Sequence, residues 1–497
     1  MKNIIRPLCF GAIAVAACSP PPAPMPMPDA NVVDASITAD GSEMDAPTSR
    51  PDVISEDRPA LRPPPIERTT PEATRVDQRR GCMFRAGAWP AETLGMEVPI
   101  GEQIPIDHVL VLMMENRSFD HYFSRLPQAG QTDVDVAPET WTNPDADGTP
   151  VSRYHDTEFC VRDPDHGWGG THAQYNNGAM NGFVRTNNPN GRRAMGYLDQ
   201  GDLPFYYSLA TTFAIGDRYF ASVLGPTWPN RLYFMSATSF GNTVNTFVGA
   251  DTSTTPVDHL FRRMDEAQLE WRNYSGGFRQ IAFYPYYGIL RAATRRSLRN
   301  IDNLMDDLRT GNLPALSIIE PSYGGNGGTR VDEHPPGMPQ MGSQFVEGIV
   351  RALMASPAWR RSALFILYDE HGGFADHVVP PEACAPDALP PVNSMGQRVE
   401  GAFDRLGIRV PFIVVSPYAK RRFVSHTVYD HSAVARFIEA RFGLPAMTAR
   451  DANATPPMDV FDFSDPPFMT PPTLAATTVD AAARERCRAA FPDESGL

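Results

Sequence analysis

Residues 107–121 read DHVLVLMMENRSFDH, and this stretch decides the fold class. The run from His108 to Met114 is continuously apolar, as expected for a strand that is buried on both faces of a parallel sheet. It ends abruptly in polar residues. Ser362–Tyr368 (SALFILY) repeats the design and leads into DEHGG at residues 369–373. Both stretches predict buried strands that deliver polar side chains to one edge of a sheet.

Candidate strands and helices alternate along the rest of the chain. Ala315–Ile319 and Pro411–Val415 are further apolar runs, each followed by a polar residue and a proline. Helical spacing occurs at Ile301–Arg309, Ser343–Met354 and Ser432–Phe442. This alternation predicts an α/β protein with a mostly parallel central sheet covered by helices on both faces. In such folds, ligands collect beyond the carboxyl ends of the strands.

Acidic and amide side chains follow the two strongest strands. Glu115 and Asn116 come after the first, and Asp369 and Glu370 come after the second. Uncompensated carboxylates would repel one another and resist burial, so a cation between them is favoured. Oxygen ligands suit Mg²⁺, Ca²⁺ or Mn²⁺, and zinc and iron are also open. For either cluster alone, an interaction with a helix N-terminus remains an alternative.

A candidate nucleophile lies in residues 225–231, which read GPTWPNR. Thr227 stands just ahead of a helical stretch. A hydroxyl at this place can lose its proton to a metal ion, while N–H groups at the start of the helix receive an anion. Phosphoryl transfer needs this combination. A simple N-cap role for Thr227 is the structural alternative.

Histidines in turns rich in Gly, Asp and Pro extend the candidate site. His166 lies in DPDHGW, His334 in DEHPP and His371 in DEHGG. Histidine can hydrogen-bond a phosphoryl oxygen, neutralise it when protonated, or protonate a leaving alkoxide. For any single histidine of the chain, an ordinary structural role remains the alternative.

Charge and lysine usage exclude several classes of function. The 497-residue chain has a formal net charge of −14 and no basic run, so we expect no nucleic-acid partner. Lys2 and Lys420 are the only lysines, and neither follows the pattern of a Walker phosphate loop. Schiff-base chemistry is equally disfavoured.

The N-terminus has the features of an export signal. Residues 1–17 combine a short positive start with an apolar stretch that is too short to span a bilayer. Val15-Ala16-Ala17-Cys18 resembles a bacterial lipobox, which predicts a lipid anchor on Cys18 and a lipoprotein at the outer membrane or cell surface. An ordinary secretory signal, giving a periplasmic or secreted protein, is the alternative. Residues 18–80 are rich in proline and are predicted to form a disordered tether.

Apart from Cys9 and Cys18, the chain has four cysteines, namely Cys82, Cys160, Cys384 and Cys487. An even number in an exported protein indicates two disulfides, with three possible connectivities. Cys82 and Cys487 bracket the folded region, which favours a clasp between them and leaves Cys160 with Cys384. Free buried thiols are the alternative.

Specific motifs resemble those of a known family, the phosphoesterase family of bacterial phospholipases C, plant non-specific phospholipases C and related acid phosphatases. The resemblance covers residues 104–452, within a catalytic domain predicted at 81–497. It implies an alkaline-phosphatase-like three-layer α/β/α sandwich. The segments that carry it are IDHVLVLMMENRSFDHYF, DPDHGWGGTHAQYNNGAMNGFV, GPTWPNRLYFMSATS, IIEPSY with DEHPP, LYDEHGGFADHVVPP and GIRVPFIVVSPYAK.

The resemblance also implies roles for individual residues. Thr227 is the implied nucleophile and a ligand of one or more divalent metal ions. His166 and His334 are implied to contact the phosphoryl group or the leaving oxygen, and His371 is a weaker candidate. The remaining implied metal ligands are Glu115, Asn116, Asp369 and Glu370, with Asn116 also a candidate for phosphate contact.

Two enzymatic functions remain open on the sequence. The first is a phospholipase C that acts through a phospho-threonine intermediate, with a membrane contact through the N-terminal lipid anchor only. The second is a broad acid phosphatase, although related acid phosphatases have serine where this chain has Thr227. A sulfatase is excluded, because threonine cannot give the aldehyde that sulfatases need. An aromatic choline site is a further possibility, with core packing as its alternative; the candidates are Trp168, Tyr175, Tyr206, Tyr207 and Trp228.

Overall fold

The predicted strands pair into one large sheet. A computed structural model describes residues 61–246, 259–277, 297–324 and 329–497. The sheet has eight strands in the order β12-β6-β11-β10-β1-β9-β7-β8, and β2-β3 and β4-β5 form two small sheets. The strands are β1 (His108–Met114), β2 (Thr142–Pro144), β3 (Pro150–Ser152), β4 (Tyr154–His155), β5 (Gly196–Tyr197), β6 (Ala214–Gly216), β7 (Trp271–Ser275), β8 (Leu298–Asn300), β9 (Leu316–Glu320), β10 (Ser362–Tyr368), β11 (Phe412–Val415) and β12 (Val424–Ser425).

Strand β1 lies at the centre of the sheet, between β10 and β9, and runs parallel to both. Its register pairs His108 with Ser362 and Met114 with Tyr368, so β1 and β10 end at the same level. Residues 109–114 and all of β10 are buried. Burial on both faces explains why these strands are continuously apolar instead of alternating. The predicted α/β class with a mostly parallel central sheet is confirmed.

Strand β11 is the exception to the parallel arrangement. It is antiparallel to both β10 and β6. Its carboxyl end, followed by Ser416 and Pro417, therefore lies at the opposite edge of the sheet from the ends of β1 and β10. A buried apolar run indicates a strand but not its direction. The sequence pattern therefore treated the four predicted strands as parallel.

Helices connect and cover the strands. Helices form over all three stretches predicted from the sequence, at residues 301–309, 343–354 and 432–442. The last of them is followed by Gly443, whose left-handed φ of 65° suits glycine. In the described residues the helices are α1 (Glu72–Arg80), α2 (Pro90–Thr93), α3 (Phe119–Phe123), α4 (Trp168–Tyr175), α5 (Pro204–Thr212), α6 (Thr227–Ser236), α7 (Leu260–Glu266), α8 (Ile301–Thr310), α9 (Pro339–Ala355), α10 (His431–Phe442), α11 (Ala449–Ala452) and α12 (Ala481–Ala490).

The folded region begins earlier than residue 81. Helix α1 occupies the last part of the segment predicted as a tether, and its Arg79 is buried and donates to the carbonyl of Thr93 at 2.7 Å. Composition averaged over a long proline-rich segment hid this short helix. The predicted signal peptide, Cys18 and the rest of the tether up to residue 60 lie outside the described residues.

Both disulfides form, but the predicted pairing was wrong. Cys82 bonds Cys384 and Cys160 bonds Cys487, with Cα–Cα distances of 5.6 Å and 5.5 Å. The predicted clasp between Cys82 and Cys487 rested on their positions in the sequence. Disulfide geometry instead requires Cα atoms within about 7 Å, which only the fold decides.

Candidate active site

The loops that follow β1 and β10 interlock through main-chain hydrogen bonds. The Asp369 N–H donates to the carbonyl of Met114 at 3.1 Å, and the Arg117 N–H donates to the carbonyl of Glu370 at 3.1 Å. The Asn116 N–H donates to Asp369 Oδ1, also at 3.1 Å. The two predicted polar clusters therefore meet at one edge of the sheet, as expected for neighbouring parallel strands.

Close backbone approach fixes the shape of these loops. Asn116 adopts a left-handed φ of 63°, a conformation that asparagine tolerates better than most residues. Gly372 has a φ of 62°, and a Cβ atom there would lie 2.2 Å from the carbonyl oxygen of Asn116. The first glycine after DEH is thus needed for the contact between the loops.

A buried arginine lies between the two carboxylate clusters. Arg231 Nη2 is 3.1 Å from Glu115 Oε1, and its Nε is 3.1 Å from Asp369 Oδ2. All three side chains are buried. The sequence pattern predicted a cation between these carboxylates. The guanidinium of Arg231 provides a positive charge there, and the sequence analysis had not predicted this role for Arg231.

Thr227 is the first residue of α6, after Pro226 at the N-cap position. The hydroxyl of Thr227 is therefore not the cap of this helix, contrary to the structural alternative. Asn230 holds the preceding turn, because its Nδ2 donates to the carbonyl of Gly225 at 2.8 Å. Thr227 and Arg231 are four residues apart on one helix and share a face. From this spacing we expect the hydroxyl to lie on the side of α6 that faces the carboxylates.

The carboxyl groups after β10 are in an unfavourable environment for their charged forms. Burial raises the pKa of Asp369 to about 7, against the opposing charge of Arg231. Burial also raises the pKa of Glu370 to about 7, against the opposing charge of His166. A further positive charge would stabilise both carboxylates.

Unpaired oxygen atoms show that these residues fit a divalent cation. Asn116 Oδ1 and Glu370 Oε1 are buried and have no hydrogen-bond partner in the part of the chain that the structure describes. Such atoms are costly unless a ligand satisfies them. Hard oxygen donors of this kind are those that Mg²⁺, Ca²⁺ and Mn²⁺ prefer. Asn116, Asp369 and Glu370, with Glu115 joined to Asp369 through Arg231, therefore remain a suitable ligand set, and Thr227 remains a predicted ligand.

Two of the predicted histidines face each other. The ring centroids of His166 and His334 are 5.5 Å apart. His166 Nε2 is 3.3 Å from Asn116 Nδ2 and 4.0 Å from Glu370 Oε1, which joins the histidine pair to the carboxylate cluster. Asp163 lies beside both rings, 3.5 Å from His166 Nδ1 and 3.8 Å from His334 Nε2. Asp163, His166 and His334 also form a group whose ligand atoms are close enough to hold a metal ion.

Main-chain carbonyls fix the tautomers of this pair. His166 Nδ1 donates to the carbonyl of Pro164 at 2.8 Å, and His334 Nδ1 donates to the carbonyl of Pro335 at 2.6 Å. A carbonyl oxygen only accepts, so Nδ1 carries a proton in both rings. The Nε2 atom of each ring therefore carries a proton only when that imidazole is charged.

The charge states of the two histidines differ. Burial by itself lowers the pKa of His166, but the charges of Glu370 and Asp163 outweigh it and raise that pKa to about 9. Burial lowers the pKa of His334 to about 4, against the opposing charge of Asp163. A charged and a neutral imidazole side by side suit donation and acceptance of a proton.

His371 is placed differently from the other two histidines. Its Nε2 is 2.7 Å from Gln174 Oε1, and its Nδ1 is 3.1 Å from Glu370 Oε2. The ring is buried, and burial lowers its pKa to about 3. Gln174 Oε1 accepts the proton on Nε2, so the neutral ring is held by Gln174 and has no proton at Nδ1 to donate to Glu370.

The proposed aromatic choline site does not assemble from the five candidate side chains. Tyr206 and Tyr207 are fully buried, and their hydroxyls donate to Glu333 Oε1 and to the carbonyl of Leu198. The Trp168 ring packs against Gly225, where a Cβ atom would lie 3.1 Å from it. Core packing, the alternative for these aromatic residues, explains Tyr206 and Tyr207.

A second polar cluster is fully used by the protein itself. Asp120, Asp376 and His377 also lie close enough to hold a metal ion. Arg409 Nη2 is 3.2 Å from Asp120 Oδ1, and its Nε is 3.1 Å from Asp376 Oδ1. His377 Nδ1 is 2.6 Å from Asp120 Oδ2. Asp120, Asp376, His377 and Arg409 therefore form an ion-pair network.

The family model that matches this chain is that of the phosphoesterase family, over residues 106–445. The chain belongs to the phosphoesterase family. The predicted resemblance is confirmed, and the protein is a hydrolase that acts on phosphate esters.

Curated relatives of this phosphoesterase include bacterial and plant proteins. Phospholipase C B of Mycobacterium tuberculosis is 33% identical over 430 residues, which cover 75% of this chain and 81% of the relative. The hemolytic phospholipase C of Pseudomonas aeruginosa is 32% identical, over 68% of this chain and 53% of the relative. The non-specific phospholipase C6 of Arabidopsis thaliana is 32% identical, over 72% of each chain.

Among solved structures, a protein of the alkaline phosphatase superfamily from Vibrio parahaemolyticus matches with a TM-score of 0.32 and 11% identity, over 74% of this chain and 92% of that one. The lipoteichoic acid synthase LtaP of Listeria monocytogenes matches with a TM-score of 0.33 and 8% identity, over 72% and 79% of the two chains.

Proposed function

We propose that this phosphoesterase is a phospholipase C that cleaves glycerophospholipids such as phosphatidylcholine between glycerol and phosphate. The products are diacylglycerol and a phosphorylated headgroup. The observation that carries the proposal is the likeness to proteins named phospholipase C, which reaches 33% identity and covers 75% of the chain. The position of Thr227 on the face of α6 that holds Arg231 supports it.

In the proposed mechanism, Thr227 Oγ1 gives its proton to solvent water and attacks phosphorus, and the bond from phosphorus to the glycerol oxygen breaks. Water then attacks the phospho-threonine and releases the headgroup phosphate. A divalent cation held by Glu115, Asn116, Thr227, Asp369 and Glu370 would supply charge neutralisation and lower the pKa of the hydroxyl. N–H groups at the start of α6 favour the anionic phosphoryl group.

The two facing histidines serve the leaving group and the water. Asp163 lies 3.5 Å from His166 Nδ1 and favours the protonated ring, so we assign His166 the donation of a proton to the departing glycerol oxygen. His334 carries its proton on Nδ1 and is suited to accept a proton at Nε2 from the attacking water. His371, which is held by Gln174, lies beside Glu370 and takes no proton-transfer role in this mechanism.

The alternative function is a broad acid phosphatase that acts on phosphomonoesters. The same nucleophile and histidines would serve either reaction. The two differ in whether a second ester group on phosphorus is accepted. The presence of threonine at position 227, which resembles the phospholipase-like members of the family, favours the diesterase.

A pair of chromogenic substrates tests the proposal. Purified protein with added divalent metal is assayed on p-nitrophenyl phosphocholine, a diester, and on p-nitrophenyl phosphate, a monoester. We expect faster hydrolysis of the diester, and release of diacylglycerol and phosphocholine from phosphatidylcholine vesicles. Hydrolysis of the monoester alone would replace the phospholipase with the acid phosphatase.

We further propose that the protein is exported as a lipoprotein with its anchor on Cys18, on the strength of the lipobox at residues 15–18. Within the residues that the structure describes, no helix is long and apolar enough to cross a membrane. Labelled palmitate fed to expressing cells should be incorporated into the wild type and the Cys9→Ala control but not into Cys18→Ala. Equal labelling of both variants would contradict the anchor.

A further inference from the structure

We propose that residues 481–497, the C-terminal brace, position the loops that carry His166 and His334. The brace consists of α12 and the residues after it. It lies outside residues 106–445, which the family model matches, so the family assignment does not account for its contacts. The consequence for turnover rests on the proposed function, in which these two histidines exchange protons with substrate and water.

The first anchor of the brace is a disulfide. Cys487 in α12 bonds Cys160, which precedes Asp163 by three residues and His166 by six. Arg486 Nε lies 3.5 Å from Glu158 Oε2, which adds an ion pair on the same segment. The disulfide therefore ties α12 to the start of the loop that ends in His166.

The second anchor is Arg330, four residues before His334. The Arg330 N–H donates to the carbonyl of Gly496 at 3.0 Å, and its Nη1 donates to the carbonyl of Glu494 at 3.2 Å. Arg330 Nε is 3.4 Å from Asp332 Oδ2. The His334 N–H donates to Asp332 Oδ1 at 3.0 Å. A short chain of contacts thus leads from Gly496 to the second histidine.

The two anchors belong to one closed unit. The Ser495 N–H donates to the carbonyl of Phe491 at 3.0 Å, and Arg488 Nε donates to the carbonyl of Leu497 at 3.2 Å, so the tail folds back on α12. The brace therefore fixes one end of each histidine loop relative to the other. We expect this to help fix the distance of 5.5 Å between the imidazole centroids of His166 and His334.

Other contacts hold the His166 loop as well, so loss of the brace should misplace the histidines and leave the fold intact. The Asp165 N–H donates to Asn187 Oδ1 at 2.7 Å, and Arg193 Nε donates to the carbonyl of Arg162 at 3.0 Å. Misplacement of a catalytic group by about 1 Å costs on the order of 100-fold in rate. Partial loss of anchoring predicts a smaller effect.

The chain offers a matched control for each anchor. The disulfide Cys82–Cys384 has a similar sequence separation, 302 against 327 residues, and is not a contact of the brace. Gly396 and Gly496 both have a positive φ, 72° and 63°. A Cβ atom at Gly496 would lie 2.5 Å from Arg330 Cβ, whereas one at Gly396 would meet nothing within 4 Å.

The first experiment compares Cys160→Ser/Cys487→Ser with Cys82→Ser/Cys384→Ser on two substrates. The diacylglycerol of phosphatidylcholine leaves as an alkoxide that needs a proton, whereas p-nitrophenyl phosphocholine releases a p-nitrophenolate that does not. We expect the brace variant to lose about tenfold in the single-turnover rate of transfer to Thr227 from phosphatidylcholine and little in the same step from the chromogenic diester, because His166 acts only on the first leaving group. Any change of rate in the control variant should be equal on the two substrates. An equal loss on both substrates in the brace variant, or no loss, would overturn the proposal.

The second experiment is independent of activity. Imidazole NMR signals are recorded for Gly496→Ala and Gly396→Ala and assigned through His166→Gln and His334→Gln. We expect Gly496→Ala to shift the signals of His166 and His334 and to leave that of His108 in place, while Gly396→Ala shifts none. Unmoved signals in Gly496→Ala would refute the brace. If the wild type hydrolyses neither substrate, the proposed function fails and this result alone decides on the brace.

Discussion

Arg231 Nε lies 3.1 Å from Asp369 Oδ2, and both side chains are buried. The same guanidinium reaches Glu115 from the end of the neighbouring strand. A permanent positive charge on α6 thus stabilises two carboxylates from separate strands and ties the helix that begins with Thr227 to the sheet. The site is partly assembled by an ion-pair network of the protein itself.

This relationship predicts a large loss of stability in Arg231→Met. Removal of one partner of a buried ion pair leaves an uncompensated charge and costs about 3 to 5 kcal/mol. The free energy of unfolding from urea titration in the presence of chelator measures the loss. The matched control is Arg309→Met, which removes an exposed pair with Asp306 and should cost less than about 1 kcal/mol. Equal effects of the two variants would show that Arg231 is not an essential counter-ion.

A second prediction concerns divalent metal. The unpaired oxygens of Asn116 and Glu370 and the raised pKa of Asp369 predict that chelation abolishes turnover. Asp369→Asn should lose both bound metal and activity, because one negative ligand oxygen is replaced by a neutral amide. Elemental analysis and turnover are measured on the same samples, with exposed Asp306→Asn as control. Full activity in protein verified as metal-free would contradict the metal site.

The sequence predicted the centre of the fold well for a physical reason. Strands β1 and β10 are buried on both faces, so their composition alone separates them from loops and amphipathic helices. The direction of β11 was not predictable in this way, since it depends on how the chain returns to the sheet. Helix α1 was missed because its apolar face is small and its buried residue is the charged Arg79.

Prediction of the site had similar limits. Residues directly after β1 and β10 were placed correctly at one edge, because strand ends fix them. Asp163 was missed, although it stands three residues before His166 in DPDHGW, since its contact with His334 joins distant segments. The disulfide pairing failed for the same reason.

A third prediction concerns pH and the buried network of His377. Burial lowers the pKa of His377, but the hydrogen bond to Asp120 and the Asp120 charge outweigh it, so the pKa is raised. Asp376 adds to the rise and Arg409 opposes it. The protonated ring is therefore bound more tightly in the folded than in the unfolded protein. Its contribution to stability is complete below the ordinary histidine pKa of about 6.5 and is lost as pH rises through the raised value.

His377→Gln tests this sign. The difference in Tm between wild type and variant should be largest near pH 6 and should shrink as the pH rises above about 6.5, towards alkaline values. Thermal unfolding at a series of pH values measures it, and the difference at each pH cancels the contribution of groups that do not interact with His377. A difference that is flat or grows with pH would mean that His377 is not protonated in the folded state.

The last prediction concerns Thr227 as nucleophile. Since Pro226 is at the N-cap of α6, the hydroxyl is not required for capping, and its removal should cost little stability. Thr227→Val removes the hydroxyl but keeps the shape and burial of the side chain. We expect this variant to fold and to keep metal through the four remaining ligands, but to lose turnover by about 10³-fold or more, because the other hydroxyl groups of α6, on Tyr233 and Ser236, lie six or more residues further along the helix. Thr227→Ser keeps a hydroxyl and should retain part of the activity.

Mass spectrometry of acid-quenched wild type should find a phosphorylated adduct on the peptide that contains Thr227, and none in Thr227→Val. Near wild-type turnover of Thr227→Val would exclude this residue as nucleophile and, with it, the phospho-threonine route.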